Sequence, residues 1–100
     1  MAFKIVVRSD VWIDVESAID WYNHEVTGLG QRFFQSFEQA KIKIVANPYH
    51  NSFVTKQVRR CPVKKFPYSV LYVVEEDTIY VLAVIHRRRS NAYIRKRTKR

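Results

Sequence analysis

The sequence predicts an α+β domain in which a helical hairpin packs on one face of a small twisted sheet. Two observations carry this prediction. In the first half of the 100-residue chain, apolar residues recur at steps of three and four, which indicates amphipathic helices. In the second half, short uncharged runs rich in Val, Ile and Tyr are separated by a charged turn, which indicates antiparallel strands.

An N-terminal strand and a first helix are predicted at the start of the chain. Phe3 to Val7 is short and rich in β-branched residues, and Ser9-Asp10 behind it is a typical helix N-cap. The helix then runs to about His24, with acidic residues largely between its apolar positions. Those apolar positions are Val11, Trp12, Val15, Ala18, Ile19 and Tyr22.

A second helix follows a short break. Val26 to Gly30 contains both glycines of the chain, which predicts a turn. Apolar residues recur with helical spacing from Leu29 to Ile44, and Asn47-Pro48 ends the pattern because the residue before a proline disfavours helix. Two helices joined by so short a turn form a helical hairpin.

The remaining strands are predicted to form a three-stranded antiparallel meander. Ser52 to Val63 is expected to be extended, with an irregular end or edge at Pro62. Tyr68 to Val74 and Thr78 to Ile85 are strands joined by the acidic turn Glu75-Glu76-Asp77. Because both of these runs are apolar at successive positions, we expect them at the centre of the sheet.

Length and composition predict a single globular domain over residues 1 to 100, ending in a basic tail over residues 94 to 100. Cys61 is the only cysteine, so no internal disulfide is possible and a reduced, cytoplasmic setting is expected. The apolar stretch at the N-terminus is too short for a signal peptide, and no uncharged run reaches membrane-spanning length. No Cys/His cluster has metal-ligand spacing, so neither a metal nor a cofactor is expected.

Charge is unevenly distributed along the chain. Residues 1 to 55 carry five basic and six acidic side chains, whereas residues 56 to 100 carry thirteen basic and three acidic ones. His86 to Arg100 contains eight Lys or Arg and no acid. Such asymmetry favours a polyanion or an acidic protein as partner. The end of the chain, Arg95 to Arg100, is expected to be frayed and to add salt-dependent affinity without specificity.

Four segments of the chain form a recognisable combination: Ala18 to Phe34, the Asn47-Pro48 stop, Val58 to Tyr72 and Val81 to Tyr93. Together they resemble the RelE/ParE toxins of bacterial type II toxin-antitoxin modules of the plasmid stabilisation type. The resemblance implies the fold described above and a small basic toxin that a cognate antitoxin silences. It also implies an attack on translation or on DNA gyrase, and contact with operator DNA only through the antitoxin complex.

The resemblance also implies candidate catalytic residues. RelE-like enzymes cleave mRNA on the ribosome, which requires proton transfer and cations around the phosphate. Arg87 matches the arginine that they use on the scissile phosphate, and Tyr93 matches their tyrosine near the nucleophile. Ser69 departs from the pattern, because those enzymes have an arginine directly after the strand tyrosine. His86 is a further candidate base, with a polar residue that closes the sheet as the alternative.

Basic residues of the second half are the candidates for contact with nucleic acid or antitoxin. If the last strand continues past His86, Arg87 and Arg89 share one face and Arg88 lies on the other. We expect an acidic antitoxin segment over Arg59, Arg60 and the three arginines after His86. The full candidate set is Arg59, Arg60, Lys64, Lys65, Arg87, Arg88 and Arg89.

Three functions remain open at this point. The favoured one is a ParE-like toxin that inhibits growth by acting on DNA gyrase. The second is a ribosome-dependent mRNA endoribonuclease in which Arg87 and Tyr93 carry the chemistry. The third is an inactive member of a module that only binds its antitoxin or DNA.

Overall fold

The computed structural model describes residues 2–100, which form a mixed four-stranded sheet and three helices. The predicted α+β class is confirmed, and the helices α1 and α2 pack on one face of the sheet as expected. In chain order the elements are β1 Lys4–Val7, α1 Val11–Glu25, α2 Leu29–Ala46, β2 Arg59–Pro62, β3 Tyr68–Glu75, β4 Thr78–His86 and α3 Asn91–Arg97.

The strands lie in the order β1-β4-β3-β2. The predicted meander is confirmed, since β2 pairs antiparallel with β3 and β3 pairs antiparallel with β4. The two apolar strands β3 and β4 occupy the centre, as their composition predicts. β1 pairs parallel with β4 from Lys4 opposite Thr78 to Val7 opposite Val81. This parallel pairing requires a long crossover, which the helical hairpin and the meander together provide.

Helix α1 begins and ends within one residue of its predicted bounds. Asp10 is its N-cap residue, but the carboxylate accepts hydrogen bonds from the Arg8 guanidinium, at 2.7 Å from Nε, instead of capping a helix amide. The buried face of α1 consists of Val11, Val15 and Ala18. This face packs on the sheet because the three side chains recur every three or four residues.

The turn between α1 and α2 depends on its two glycines for different reasons. Gly28 has a φ of 88°, in the left-handed region that favours glycine. Gly30 lies directly against α1, where an added Cβ would collide with the Ile19 carbonyl oxygen and the Asn23 side chain. The Gly30 amide donates to Asn23 Oδ1 at 2.8 Å. Close approach of the two helices therefore requires the absence of a side chain at Gly30.

The expected long extended segment before β3 is shorter in the structure. Only Arg59–Pro62 forms a strand, with one isolated bridge from Phe53 to Arg59. The preceding loop folds back because the Arg59 guanidinium donates to the carbonyls of Tyr49 and Asn51, at 3.1 and 2.6 Å. The segment before Arg59 is therefore held by these side-chain hydrogen bonds instead of by a regular ladder of backbone hydrogen bonds.

Helix α3 covers part of the opposite face of the sheet, and it includes Arg95 to Arg97 of the segment Arg95 to Arg100 that the sequence predicts to be frayed. That expectation is wrong. Ile94 is 5% exposed and packs in a second apolar cluster with Leu71, Leu82 and Ile85. Ser90 caps the helix by accepting a hydrogen bond from the Tyr93 amide. Basic side chains dominate this segment, so its single buried apolar residue gives no periodic signal.

Substitution of the two glycines separates steric exclusion from backbone strain. We expect Gly30→Ala to lower the free energy of unfolding by about 2 to 3 kcal/mol, because the new methyl group overpacks the helix interface. Gly28→Ala meets open space and adds only the left-handed backbone penalty, about 1 kcal/mol. Chemical denaturation of both variants checks the order. Equal losses, or a larger loss for Gly28→Ala, would contradict this account of the hairpin.

Candidate functional site

The basic turns of the sheet lie together at one end. The turn between β2 and β3 and the turn after β4 share this end, because β2, β3 and β4 form a meander. The acidic turn between β3 and β4, Glu75-Glu76-Asp77, lies at the opposite end of the sheet. The sheet is therefore electrically polar along its strands. We call the exposed side chains at the first end the basic end: Lys64, Lys65, Arg87, Arg88 and Arg89.

A first cleft opens beside β2 and β3, and we call it the arginine cleft. It has a volume of about 400 Å³, and Arg60, Ser69 and Arg87 line it. Ser69 pairs with Pro62 of β2 and with Ile85 of β4, and it is 6% exposed. Arg60 of the neighbouring strand β2 therefore lines the same cleft as Ser69, the position at which the resemblance implies an arginine.

A second cleft lies between α1, the end of β4 and α3, and we call it the aromatic cleft. Its volume is about 600 Å³, and its lining includes Trp21, Tyr68, His86, Arg89 and Tyr93. The Trp21 side chain is 59% exposed. The Arg89 guanidinium stacks over the Tyr93 ring at 4.3 Å from its centroid. This cleft therefore combines aromatic walls with one cation at its rim.

The three candidate catalytic residues do not line one common cleft. His86 and Tyr93 line the aromatic cleft, whereas Arg87 lines the arginine cleft. Strand β4 ends at His86, and the Arg89 amide donates to the His86 carbonyl at 3.0 Å. The shared face predicted for Arg87 and Arg89 required a longer strand. A tight turn instead directs the two arginines to different clefts.

His86 has structural contacts that account for its position. Its Nδ1 accepts a hydrogen bond from the Arg88 amide at 3.1 Å. Its ring lies edge-on to Tyr68, with 5.3 Å between the centroids. A nitrogen that accepts a backbone hydrogen bond is not available to accept a substrate proton. These contacts agree with the interpretation of His86 as a residue that closes the sheet.

A carboxylate on α1 joins β4 to α3, and sequence reasoning missed it. Asp14 accepts from the Val84 amide at 3.0 Å and from both terminal nitrogens of Arg97 at 2.8 and 2.7 Å. This hydrogen bonding raises the pKa of Arg97 above its already high value. Asp14 lies three residues after Val11 and four before Ala18, on the buried stripe of α1. An acid at such a position requires a buried partner, which was the available signal.

Arg8 extends this network around the edge of β4. Its guanidinium donates to the Asp10 carboxylate and, at 2.9 Å, to the Leu82 carbonyl. The hydrogen bond from Arg8 holds the pKa of Asp10 below its ordinary value of 3.8. A depressed carboxyl pKa contributes stability above the unfolded value, and that stability is lost as the pH falls through the folded value.

Arg59 differs from the other residues of the predicted binding set. Besides its two carbonyl contacts, its guanidinium lies 4.0 Å from the centroid of the Phe53 ring and 5.5 Å from that of Tyr49. These contacts hold the loop before β2. Arg59 therefore has an internal structural role that the sequence-based expectation did not include.

Tyr22 and Tyr68, which line the aromatic cleft, keep their hydroxyl protons at neutral pH. Burial raises the pKa of Tyr68, and burial likewise raises the pKa of Tyr22.

Among residues 2–100, no group of three or more His, Cys, Asp or Glu side chains has the arrangement of a metal site. Over the same residues, no helix has the length and apolar character to cross a bilayer.

Comparison with known proteins gives a matching family and similar solved structures. The family model described as the ParE toxin of type II toxin-antitoxin system, parDE, matches residues 5–91. A chain from the chromosomal ParDE toxin-antitoxin system of P. aeruginosa is similar in structure, with a TM-score of 0.73. The two chains are 19% identical, over 85% of this chain and 96% of that one, so the likeness shows the fold. No curated protein matches this chain.

Removal of the Arg97 guanidinium tests whether the Asp14 contact holds α3. We expect Arg97→Ala to lower the free energy of unfolding by about 2 to 3 kcal/mol, because the Asp14 carboxylate is left with too few donors in a largely buried position. Arg95→Ala is the matched control, since Arg95 is exposed on the same helix. Denaturant unfolding at neutral pH measures both. Equal stability of the two variants would exclude this role.

Proposed function

The chain belongs to the ParE toxin family of type II toxin-antitoxin systems, and from this we propose that it inhibits growth by binding DNA gyrase and that a cognate antitoxin neutralises it. The proposed contact surface is the basic end with the clefts on either side. One observation carries the choice of a binding toxin over a nuclease: the candidate catalytic residues are divided between two clefts.

The chemistry of RNA cleavage explains why this division matters. Attack of a 2′-hydroxyl on the neighbouring phosphate needs a proton acceptor, a proton donor and cations within hydrogen-bond reach of one phosphate. Here Tyr93 is held between Arg89 and Arg97, with its hydroxyl 3.4 Å from the Arg97 guanidinium. Arg87 lines the other cleft. Binding to a protein target has no such requirement, which supports the gyrase proposal.

The antitoxin is proposed to carry an acidic segment that lies over the basic end. Attraction between this segment and the exposed cations would speed association and weaken with salt. Arg60, beside Arg87 in the arginine cleft, extends the same surface. Arg59 is left out of the proposed contact, because its guanidinium already binds two carbonyls of its own loop. Operator DNA is reached only through the antitoxin complex in this proposal, and the site of action is the cytoplasm.

A ribosome-dependent endoribonuclease is the second candidate, and the arginine cleft is the observation that favours it. Arg60 and Arg87 both line the cleft around the Ser69 position. Two guanidinium groups on one phosphate would offset part of the loss that the missing arginine causes. This candidate still needs a proton acceptor beside Arg87. A third candidate, a member that binds its antitoxin without attacking a target, predicts no toxicity.

Controlled expression of variants distinguishes these functions. We expect induction of the wild-type chain and of Tyr93→Phe to arrest growth equally, because the substitution removes only a hydroxyl 3.4 Å from Arg97. Arg87→Ala should weaken inhibition of gyrase supercoiling by roughly tenfold, as expected for loss of one interface arginine. Ribosome-bound mRNA should stay intact in all cases. Co-expression of the antitoxin should restore growth.

The matched control for Arg87→Ala is Arg95→Ala. This substitution removes an exposed arginine of α3 that lines neither cleft. Cleavage of ribosome-bound mRNA by the wild type, lost by a hundredfold or more in both Arg87→Ala and Tyr93→Phe, would establish the nuclease instead. Normal growth, normal supercoiling and intact mRNA on induction of the wild type would exclude both toxin functions.

A further inference from the structure

The outer edge of β4 is only partly covered by β1. The last backbone contact between the two strands is the Arg8 amide to the Val81 carbonyl, at 3.1 Å. β4 continues for five more residues, to His86. Over these residues, side chains replace a neighbouring strand, since the Arg8 guanidinium binds the Leu82 carbonyl and Asp14 binds the Val84 amide.

Alternation along the strand identifies the backbone groups that face this open edge. The Arg87 amide donates to the Pro67 carbonyl, directly before β3, at 2.8 Å. The backbone amides and carbonyls of residues 85 and 87 therefore point toward β3, whereas those of Val84 and His86 point away from it, toward the open edge. Of the outward groups, the Val84 amide is bound by Asp14 and the His86 carbonyl by the Arg89 amide. By the same alternation the Val84 carbonyl and the His86 amide face outward, and both residues line the aromatic cleft.

These two groups have the pattern that a parallel strand recognises. In parallel pairing, one incoming residue donates its amide to the carbonyl of residue i and accepts from the amide of residue i+2. Val84 and His86 provide that carbonyl and that amide. Antiparallel pairing would use the amide and the carbonyl of the same residue, and at each position one of the two is already bound. The edge therefore selects the direction of an incoming chain.

The walls of the cleft specify the side chains of such a segment. Successive residues of an added strand point to opposite faces of the sheet. On one face lies Trp21 of α1, which is largely exposed, and on the other lies Tyr93 of α3. Both rings accept aliphatic or aromatic side chains. In a parallel segment the C-terminal side reaches Arg89 and the basic end, where an acidic residue is complementary.

We infer that the aromatic cleft binds an extended segment of the cognate antitoxin, which adds to β4 as a short parallel strand. The segment places apolar side chains against Trp21 and Tyr93 and an acidic residue, on its C-terminal side, at Arg89. This inference rests on the proposed function, because it assumes that the partner is the antitoxin. It adds the location, the direction and the side-chain chemistry of the contact.

The competing edge for strand addition is the free side of β1. The amides of Lys4 and Arg8 donate to β4 residues or to the turn before β4, so the amides of Ile5 and Val7 face away from the sheet. No residue of β1 lines the cleft between Trp21 and Tyr93, and β1 contains one basic residue, Lys4. The two edges make different predictions for amide hydrogen exchange.

Hydrogen exchange of the toxin with and without its purified cognate antitoxin tests the inference. We expect binding to slow exchange of the His86 amide at least tenfold, while Ile5 and Val7 exchange as before. His86→Pro removes this donor and should weaken antitoxin binding at least tenfold. Proline is tolerated where an edge amide points away from the sheet. His86→Ala also removes the imidazole but keeps the amide, so the difference in affinity between the two variants, expected to be at least tenfold, measures the contribution of the amide.

The possible results separate this inference from the proposed function. An antitoxin that binds and restores growth, but protects Ile5 and Val7 instead of His86, overturns the inference and leaves the proposed function standing. Equal affinity of folded His86→Pro and His86→Ala also overturns it. An antitoxin that neither binds nor restores growth overturns both.

Discussion

The arrangement of the aromatic cleft depends on one carboxylate at the edge of β4. Asp14 binds the Val84 amide and, through two hydrogen bonds, the guanidinium of Arg97. The two side chains are 14% and 18% exposed, so solvent screens their attraction much less than that of a surface pair. A single group thus satisfies a strand amide that β1 does not reach and fixes α3 across the strand. It acts together with the packing of Ile94 in the second apolar cluster and with the hydrogen bonds from the Arg8 guanidinium to the Arg97 and Lys99 carbonyls.

The same arrangement explains how a chain of this size presents a strongly charged surface. Positive side chains collect at the end of the sheet where two turns meet, and the acidic turn lies at the far end. The acids of α1 near the site are engaged within the protein, because Asp10 and Asp14 bind Arg8 and Arg97. The basic end is therefore open to an acidic partner, while internal ion pairs stabilise the scaffold behind it. Long-range attraction of this kind speeds association more than it adds specificity. Specificity has to come from the shaped clefts.

The elements that sequence reasoning predicted were those whose own side chains bury a regular face. The helices show three- and four-residue periods, and β3 and β4 contain long uncharged runs that are apolar at successive positions, so their type and central location could be derived. Helix α3 could not be predicted, because Ile94 is its one buried apolar residue and Arg97 binds Asp14, which lies 83 positions earlier in the sequence. The parallel pairing of β1 likewise depends on contacts distant in sequence. Arg59 was assigned to the binding surface from its charge, yet its partners are carbonyls of a loop whose path the sequence does not reveal.

A double-mutant cycle over Asp14→Asn and Arg97→Ala tests the central claim most directly. If the pair holds α3 against the edge of β4, the two substitutions will be strongly non-additive in the free energy of unfolding. The expected coupling energy is about 1.5 to 3 kcal/mol, in the upper range for residues in direct contact. A coupling energy within about 0.5 kcal/mol of zero would contradict the account, because the aromatic cleft would then owe its shape to other contacts.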